Sequence, residues 1–148
     1  MMNNYLVFRL SERIFGVRLQ GAIEILPWRR TRPVPLAYSY VEGVMDYRGT
    51  LYPVFQISQL LGLSRPGPIG FTAPDEQPPK GKSIILLQEG KWPFGISVDS
   101  VVKMSVLQDP EGQAQAVKGM NMQFVKGMQY EEDQEIILIS FERLFHAG

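Results

Sequence analysis

The residues of this 148-residue chain that could carry chemistry are few and widely spaced. The chain has no Cys and a single His, His146, which lies two positions from the C-terminus. A thiolate nucleophile, a disulfide framework and a zinc finger are therefore excluded, and serine–histidine hydrolysis would depend on a frayed residue. No phosphate-binding loop and no metal-ligand spacing is present. We therefore expect a protein that is not an enzyme and uses no metal or cofactor.

Two carboxylates interrupt apolar, strand-like segments. Glu24 lies between Ile23 and Ile25, where strand alternation would turn it toward solvent, and Asp99 follows Val98 in the second half of the chain. Neither has a second carboxylate at the spacing that glycosidase-type acid–base catalysis requires. An exposed strand carboxylate and a contact with a partner protein both stay open as interpretations of each.

The arginines offer binding chemistry. Arg48 lies between Tyr47 and Gly49 where a strand turns, and its five fixed donors suit carboxylates or backbone carbonyls at an interface. A solvated turn arginine is the simpler alternative. Three more arginines follow Trp28 in one loop, but Lys+Arg 15 balance Asp+Glu 15, which argues against a nucleic-acid partner. These three are Arg29, Arg30 and Arg32.

The elements that must position these residues are short strands. Hydrophobic residues make up 45% and charged residues 20%, as in globular proteins. The longest apolar runs, 84–87 and 136–139, are far shorter than the ~20 residues that span a bilayer. Arg9 interrupts the first ten residues, so no secretory signal is visible. We expect a soluble, cytoplasmic protein without direct membrane insertion.

Residues 64–82 divide the chain nearly in half. This stretch contains five Pro and three Gly and no periodic apolar pattern, which indicates a loop. We predict one domain over 1–148 with subdomain 1 at about 1–63 and subdomain 2 at about 83–148. A terminal strand is free to cross between the subdomains.

The two halves resemble each other. One gapless displacement places Phe15-Gly16-Val17 on Phe94-Gly95-Ile96, and a second places Val41–Val44 on Val125–Met128. The first also puts Ile23 on Val102, and the second continues through Val54-Phe55 on Leu138-Ile139. We infer two copies of a small all-β unit, each a closed or nearly closed barrel with short helical turns. The groove along their junction is the default binding site.

The glycines of the repeat have structural and functional interpretations. Gly43 and its mate Gly127 are typical of a bulge or a close backbone approach. Gly16 and Gly95 are open to the same explanation, although surface glycines would also let the backbone of a partner approach.

The order of these elements resembles the CheW family of chemotaxis scaffold proteins. The matching segments are Tyr5–Phe8, Phe15–Val17, Glu24-Ile25, Val41–Val44, Asp46–Val54, Gly95–Val101, Val125–Gly127 and Ile136–Ile139 with Leu144. No single motif is specific, but the ordered combination covers residues 5–145. The resemblance implies two five-stranded SH3-like barrels that form an adaptor without chemistry of its own. It also implies two partners, the cytoplasmic tip of a chemoreceptor and the regulatory domain of a CheA-type histidine kinase.

The resemblance also implies a set of partner-binding residues. They are Glu24, Gly43, Arg48, Gly49, Gly95, Val98 and Asp99. Asp46-Tyr47 and Gln56–Ser58 depart from the family pattern, which leaves a kinase that controls pilus motility open as the partner. The competing class is an enzyme or small-ligand module in the groove. Titratable groups that converge there with perturbed pKa values would favour that class, whereas an apolar groove rimmed by single charges would favour the scaffold.

Overall fold

The computed structural model describes residues 1–63, 81–111 and 120–146, so most of the predicted loop 64–82 lies outside the described residues. The described chain consists of short strands with two short α-helices and two 3-10 turns, Leu19–Gly21 and Met122–Phe124. The bounds are β1 (Met2–Leu10), β2 (Arg13–Arg18), β3 (Ala22–Pro27), β4 (Val41–Tyr47), β5 (Thr50–Gln56), α1 (Ile57–Leu60), β6 (Ser83–Glu89), β7 (Trp92–Val98), β8 (Ser100–Gln108), β9 (Val125–Glu131), β10 (Gln134–Ile139) and α2 (Glu142–His146).

The strands form two five-stranded sheets that each combine both halves of the chain. Sheet A has the order β8-β1-β2-β10-β9, and sheet B has the order β3-β6-β7-β5-β4. The two orders become identical when each strand is replaced by its repeat mate, β1 by β6, β2 by β7, β3 by β8, β4 by β9 and β5 by β10. The first two strands of each half therefore complete the sheet of the other half.

The exchange is made by the parallel pairs at the centre of each sheet. In sheet A, β2 runs parallel to β10 with Gly16 beside Leu138, and in sheet B, β5 runs parallel to β7 with Val54 beside Gly95. Gly16 and Gly95 are repeat mates, and so are Leu138 and Val54. The predicted internal repeat is thus confirmed in the register of the strands.

Each sheet curls until its outer strands meet. In sheet A, Glu131 of β9 binds Lys103 and accepts a hydrogen bond of 3.2 Å from the Ser105 hydroxyl, both on β8. In sheet B, the segment after β3 reaches β4 through an antiparallel bridge between Arg32 and Val44. Both sheets therefore have the shape of a small, nearly closed barrel.

The core has three parts because most strands are buried on both faces. One cluster lies between the barrels, and one lies inside each barrel. Along β1, Leu6 and Phe8 point to the cluster between the barrels, while Tyr5 and Val7 point into barrel A. Burial on both faces explains why the inner strands are continuous apolar runs rather than alternating ones.

Candidate functional site: the groove between the barrels and the Tyr47 turn

An open groove lies between the two barrels. Its cavity has a volume of about 570 Å³ and is lined by residues of both sheets. The apolar floor is formed by Val17, Leu138 and Ile139 from sheet A and by Leu87 and Phe94 from sheet B. Because residues of both sheets form the floor, the groove exists only when the two barrels are packed together. This is the junction groove that the repeat predicts.

Asp109 holds together one rim of the groove. Its carboxylate accepts hydrogen bonds from the Tyr5 hydroxyl at 2.6 Å, from Arg18 Nη2 at 2.7 Å and from the Asn3 side-chain amide. The Tyr5 bond is the largest influence that holds the pKa of Asp109 below its ordinary value. Burial, followed by the hydrogen bond to Asp109, raises the pKa of Tyr5 above its ordinary value.

These two shifts bear on whether Asp109 and Tyr5 could act as an acid or a base. Both pKa values move away from neutrality, so Asp109 stays ionised and Tyr5 stays neutral at physiological pH. A general acid or base works best when its pKa lies near the operating pH. The two groups therefore hold strands together and are unsuited to proton transfer. The groove combines an apolar floor with polar and charged side chains around it, an arrangement that suits a binding surface.

Another edge of the groove carries Lys126 and Glu142, whose charged atoms are 3.8 Å apart on well-exposed side chains. Both rims therefore pair a cation with a carboxylate. In the described part of the chain, no group of three or more His, Asp or Glu side chains could hold a metal ion. None of the helices described is long and apolar enough to cross a membrane.

The residues equivalent to Arg18 and Lys126 in the other half differ in type and in burial. Ser97 and Glu42 occupy the positions equivalent to Arg18 and Lys126 in the other half. Both are buried, and the Ser97 hydroxyl donates a hydrogen bond of 2.5 Å to Glu42 Oε2. The Ser97 hydroxyl and the Glu42 carboxylate are buried against each other on that side. Arg18 and Lys126, on the groove side, are long cations that extend into solvent.

A second cluster surrounds Tyr47 at the β4–β5 turn. Arg48 and Gly49 both have positive φ, 52° and 83°, as two-residue hairpin turns require. The Gly49 amide donates to Asp46 Oδ1 at 3.1 Å, and the Arg48 guanidinium lies 5.1 Å from the centre of the Tyr47 ring. Arg48 and Gly49 are both exposed. We call Glu24, Tyr47, Arg48 and Gly49 the Tyr47 turn.

Glu24 belongs to this turn, but not as the sequence predicts. The expectation that alternation turns Glu24 outward is wrong. Ile23 and Ile25 are 46% and 43% exposed, while Glu24 is half-buried and accepts a hydrogen bond of 3.3 Å from the Tyr47 hydroxyl. The reason is that β3 is an outer strand of the curled sheet, so its inward face meets β4 and its outward face meets solvent.

Three further residues of the predicted binding set are buried. Gly95 lies in the centre of sheet B, where an added Cβ would be 3.2 Å from Ile84 and 3.3 Å from Val54. Val98 is fully buried, and Gly43 is covered by the segment of Thr31. In this conformation these three residues pack strands together and have almost no surface to offer a partner.

Asp99 is exposed but lies at the other end of sheet B. Its carboxylate accepts a hydrogen bond of 2.9 Å from the Ser11 amide, which ties the β7–β8 corner to the β1–β2 turn. Because β5 and β7 are parallel, the turn before β5 and the residue after β7 lie at opposite ends, on the order of 20 Å apart. The structure therefore brings together Glu24, Arg48 and Gly49 but not Asp99.

Sequence reasoning missed the exposed apolar faces of the outer strands. Val102, Met104 and Val106 point outward from β8, and Met104 is 67% exposed. Their counterparts on β3 are Ile23 and Ile25. The repeat alignment already paired Ile23 with Val102, but only the curl of each sheet shows that these faces are uncovered.

The groove rims were also missed, because Tyr5, Arg18 and Asp109 are far apart in sequence and no spacing connects them.

Comparison with known proteins gives a consistent result over the whole chain. The family model described as "CheW-like domain" matches residues 4–148. The Chemotaxis protein CheW of Treponema pallidum is 24% identical over 142 residues, which cover 95% of this chain and 80% of that protein. The Chemotaxis protein CheW of Rhizobium meliloti is 25% identical, with coverage of 95% and 85%.

A solved structure shows the same fold. The scaffolding protein TtCheW from Thermoanaerobacter tengcongensis superposes with a TM-score of 0.80 at 22% sequence identity. The match covers 99% of this chain and 94% of the other. It confirms the predicted all-β fold of two five-stranded, SH3-like subdomains.

Proposed function

We propose, from the premise that this chain belongs to the CheW-like domain family, that it joins the cytoplasmic tip of a chemoreceptor to the regulatory domain of a CheA-type histidine kinase. The chain is a chemotaxis scaffold that acts by binding and not by catalysis. Family membership implies partners within a chemotaxis complex, and the two named domains are the finer proposal. Their place in the cell would put this protein in the cytoplasm.

The observation that carries the proposal is the groove between the barrels, together with the family match along residues 4–148. A trench with an apolar floor and polar and charged side chains along its edges suits the docking of a protein segment. The ion pairs Arg18–Asp109 and Lys126–Glu142 lie along the edges of the trench. A helical hairpin tip fits such a trench by placing its apolar residues on the floor.

A scaffold with two partners needs two separate surfaces, and the repeat supplies them. The outward apolar faces of β3 and β8 lie on different barrels, so both can be covered at the same time. Met104 and its neighbours Val102 and Val106 form the larger face. We assign this face to the kinase domain, because a flat apolar strand face suits a second barrel better than a hairpin tip.

The Tyr47 turn provides the polar contact in this proposal. Arg48 is exposed, and its guanidinium lies beside the Tyr47 ring, where a partner can reach it. Glu24 acts through Tyr47 as a positioning residue. Gly43, Gly95 and Val98 support the binding surface by packing, and Asp99 stays a predicted contact for the partner at the opposite end of sheet B.

The test is titration calorimetry with a receptor-tip fragment and with the kinase regulatory domain from the same organism. Arg48→Glu should weaken binding to one of them about 5- to 150-fold, the range of about 1–3 kcal/mol for a reversed contact charge. Glu132→Lys is the matched control, because it reverses a charge at the equivalent turn of barrel A, where φ is 51°. Failure of the wild type to bind either domain would refute the proposal. Equal binding by both variants would remove Arg48 from the site.

A further inference from the structure

Helix α2 forms the wall between two cavities. Glu142 lines the groove of about 570 Å³. The next two residues, Arg143 and Leu144, line a second cavity of about 400 Å³ together with Tyr40 and Phe124. Because neighbouring residues of one short helix face the two cavities, removal of α2 would join them into a single trough.

The floor of that trough is aromatic, and Phe145 of α2 covers it. The Phe145 ring centre lies 5.0 Å from Phe94, 6.0 Å from Trp92 and 6.2 Å from Phe55. Trp92 is stacked on Phe145 at an interplanar angle of 9°, yet it is 44% exposed. The cover over the aromatic floor is therefore thin.

The repeat provides an internal comparison, since α1 is the mate of α2. At the end of α1, Leu60 and Leu61 are both buried, and the Asn121 amide donates a hydrogen bond of 2.7 Å to the Leu61 carbonyl. In α2, Leu144 and Phe145 occupy equivalent positions but are only half-buried.

The attachment of α2 is correspondingly weak. Its ion pair, Lys126–Glu142 at 3.8 Å, lies on the surface, and an ion pair of this kind contributes little to stability. A helix of five residues is also too short to be stable by itself. The chain before α2 is fixed, because Phe141 is buried and the Ser140 amide donates to the Phe124 carbonyl at 2.9 Å. Release would therefore begin at Glu142.

We propose that α2 is a displaceable internal occupant of the aromatic trough, and that an amphipathic helix of the receptor tip takes its place. This proposal rests on the proposed function for the identity of the partner. The trough already binds one turn of helix with two large apolar side chains, Leu144 and Phe145. It is therefore suited to apolar side chains that a helix presents. A partner helix must then offer aromatic or branched apolar residues at helical spacing. Competition from α2 lowers the apparent affinity for that helix.

The first arm of the test is native-state amide exchange on the full chain, without any partner. The Leu144 amide donates to the Phe141 carbonyl at 3.0 Å, and the Leu61 amide donates to the Ile57 carbonyl at 2.8 Å. If α2 opens by itself, Leu144 should be protected at least about 100-fold less than Leu61, because local opening then sets its exchange rate. Protection of the two amides within about tenfold of each other would overturn the proposal.

The second arm measures affinity for the receptor-tip fragment. Phe145→Ala weakens the internal occupant and should tighten binding about tenfold, whereas the control Arg143→Ala, on the same helix, should leave it unchanged. Deletion of residues 142–148 should act in the same direction as Phe145→Ala. Unchanged or weaker binding by both would overturn displacement while the proposed function stands. If neither the wild type nor any variant binds the receptor-tip fragment, the proposed function is overturned. The proposal that a receptor helix occupies the trough is then overturned as well.

Discussion

Substitution of Gly43 by alanine separates a packing role from a partner-binding role. An added Cβ at Gly43 would lie 2.6 Å from the carbonyl oxygen of Arg32 and closer still to the hydroxyl of buried Thr31. Both distances are shorter than the 3.0 Å that real Cβ contacts respect. One obstacle is backbone, so a side-chain rotation cannot relieve the overlap.

The expected cost follows from the two ways in which the structure can respond. If the segment of Arg32 moves away, its two hydrogen bonds with Val44, both 2.9 Å, are lost, at about 0.5–1.5 kcal/mol each. If the segment stays, the strain of overpacking is about 1–3 kcal/mol. Either route lowers the free energy of unfolding by about 2 kcal/mol. For a chain of this size the melting temperature should fall by about 4–8 °C.

The assay is thermal unfolding followed by circular dichroism, with receptor-tip and kinase-domain binding measured on the same preparations. Gly21→Ala is the matched control, because its Cβ would be 3.3 Å from the nearest atom, the Gln88 carbonyl oxygen. The control should melt within about 2 °C of the wild type, in keeping with its milder contact. Unchanged melting of Gly43→Ala together with lost binding would refute the packing argument and assign Gly43 to a partner contact.

Three other predictions follow from the described contacts. Fragments 1–63 and 83–148 should each be unfolded alone and regain strand structure by circular dichroism when mixed, because each sheet uses strands from both; cooperative melting of one fragment alone would contradict this. Leu36 has a φ of 62° and a fully exposed side chain, so Leu36→Asn should raise the free energy of unfolding in urea by about 0.5–1 kcal/mol, while Leu51→Asn should not. The pKa of Asp109 is lowered in the folded state, so its stabilisation is present above the unfolded pKa of about 3.9 and is lost as pH falls through the folded value. Asp109→Asn should therefore reduce the decrease in the free energy of unfolding at acidic pH. An unaltered decrease would show that the hydrogen bond from Tyr5 to Asp109 contributes nothing.

Residue types and spacing were sufficient for the fold class and for the absence of catalytic equipment. Matching glycines at Gly16 and Gly95, and at Gly43 and Gly127, revealed the repeat because each lies where a Cβ would crowd its neighbours. The apolar runs predicted short strands, and the junction of two barrels predicted the groove. These inferences depend on local conformation and on burial, which the sequence expresses directly.

The strand exchange and the direction of Glu24 could not be predicted in the same way. A strand has the same alternation whichever neighbour it pairs with, so nothing in β1 or β2 indicates that they complete the sheet of the second half. Around Glu24 the alternation of apolar and polar residues indicated a strand. It did not indicate which of the two faces of that strand points into the barrel. An outer strand of a curled sheet exposes one apolar face, and the usual rule that apolar residues point inward then fails.

Periodicity, glycine positions and motif order are properties of consecutive residues, so they identified a repeated all-β scaffold of the CheW-like family before any fold was known. The position of the open groove became visible only in the folded chain. Arg18 and Lys126 frame an open groove while their mates Ser97 and Glu42 close the other side, although the backbone around both pairs is equivalent. The physical reason is that side-chain length and charge act on a groove only after strands from distant parts of the chain have been placed opposite one another.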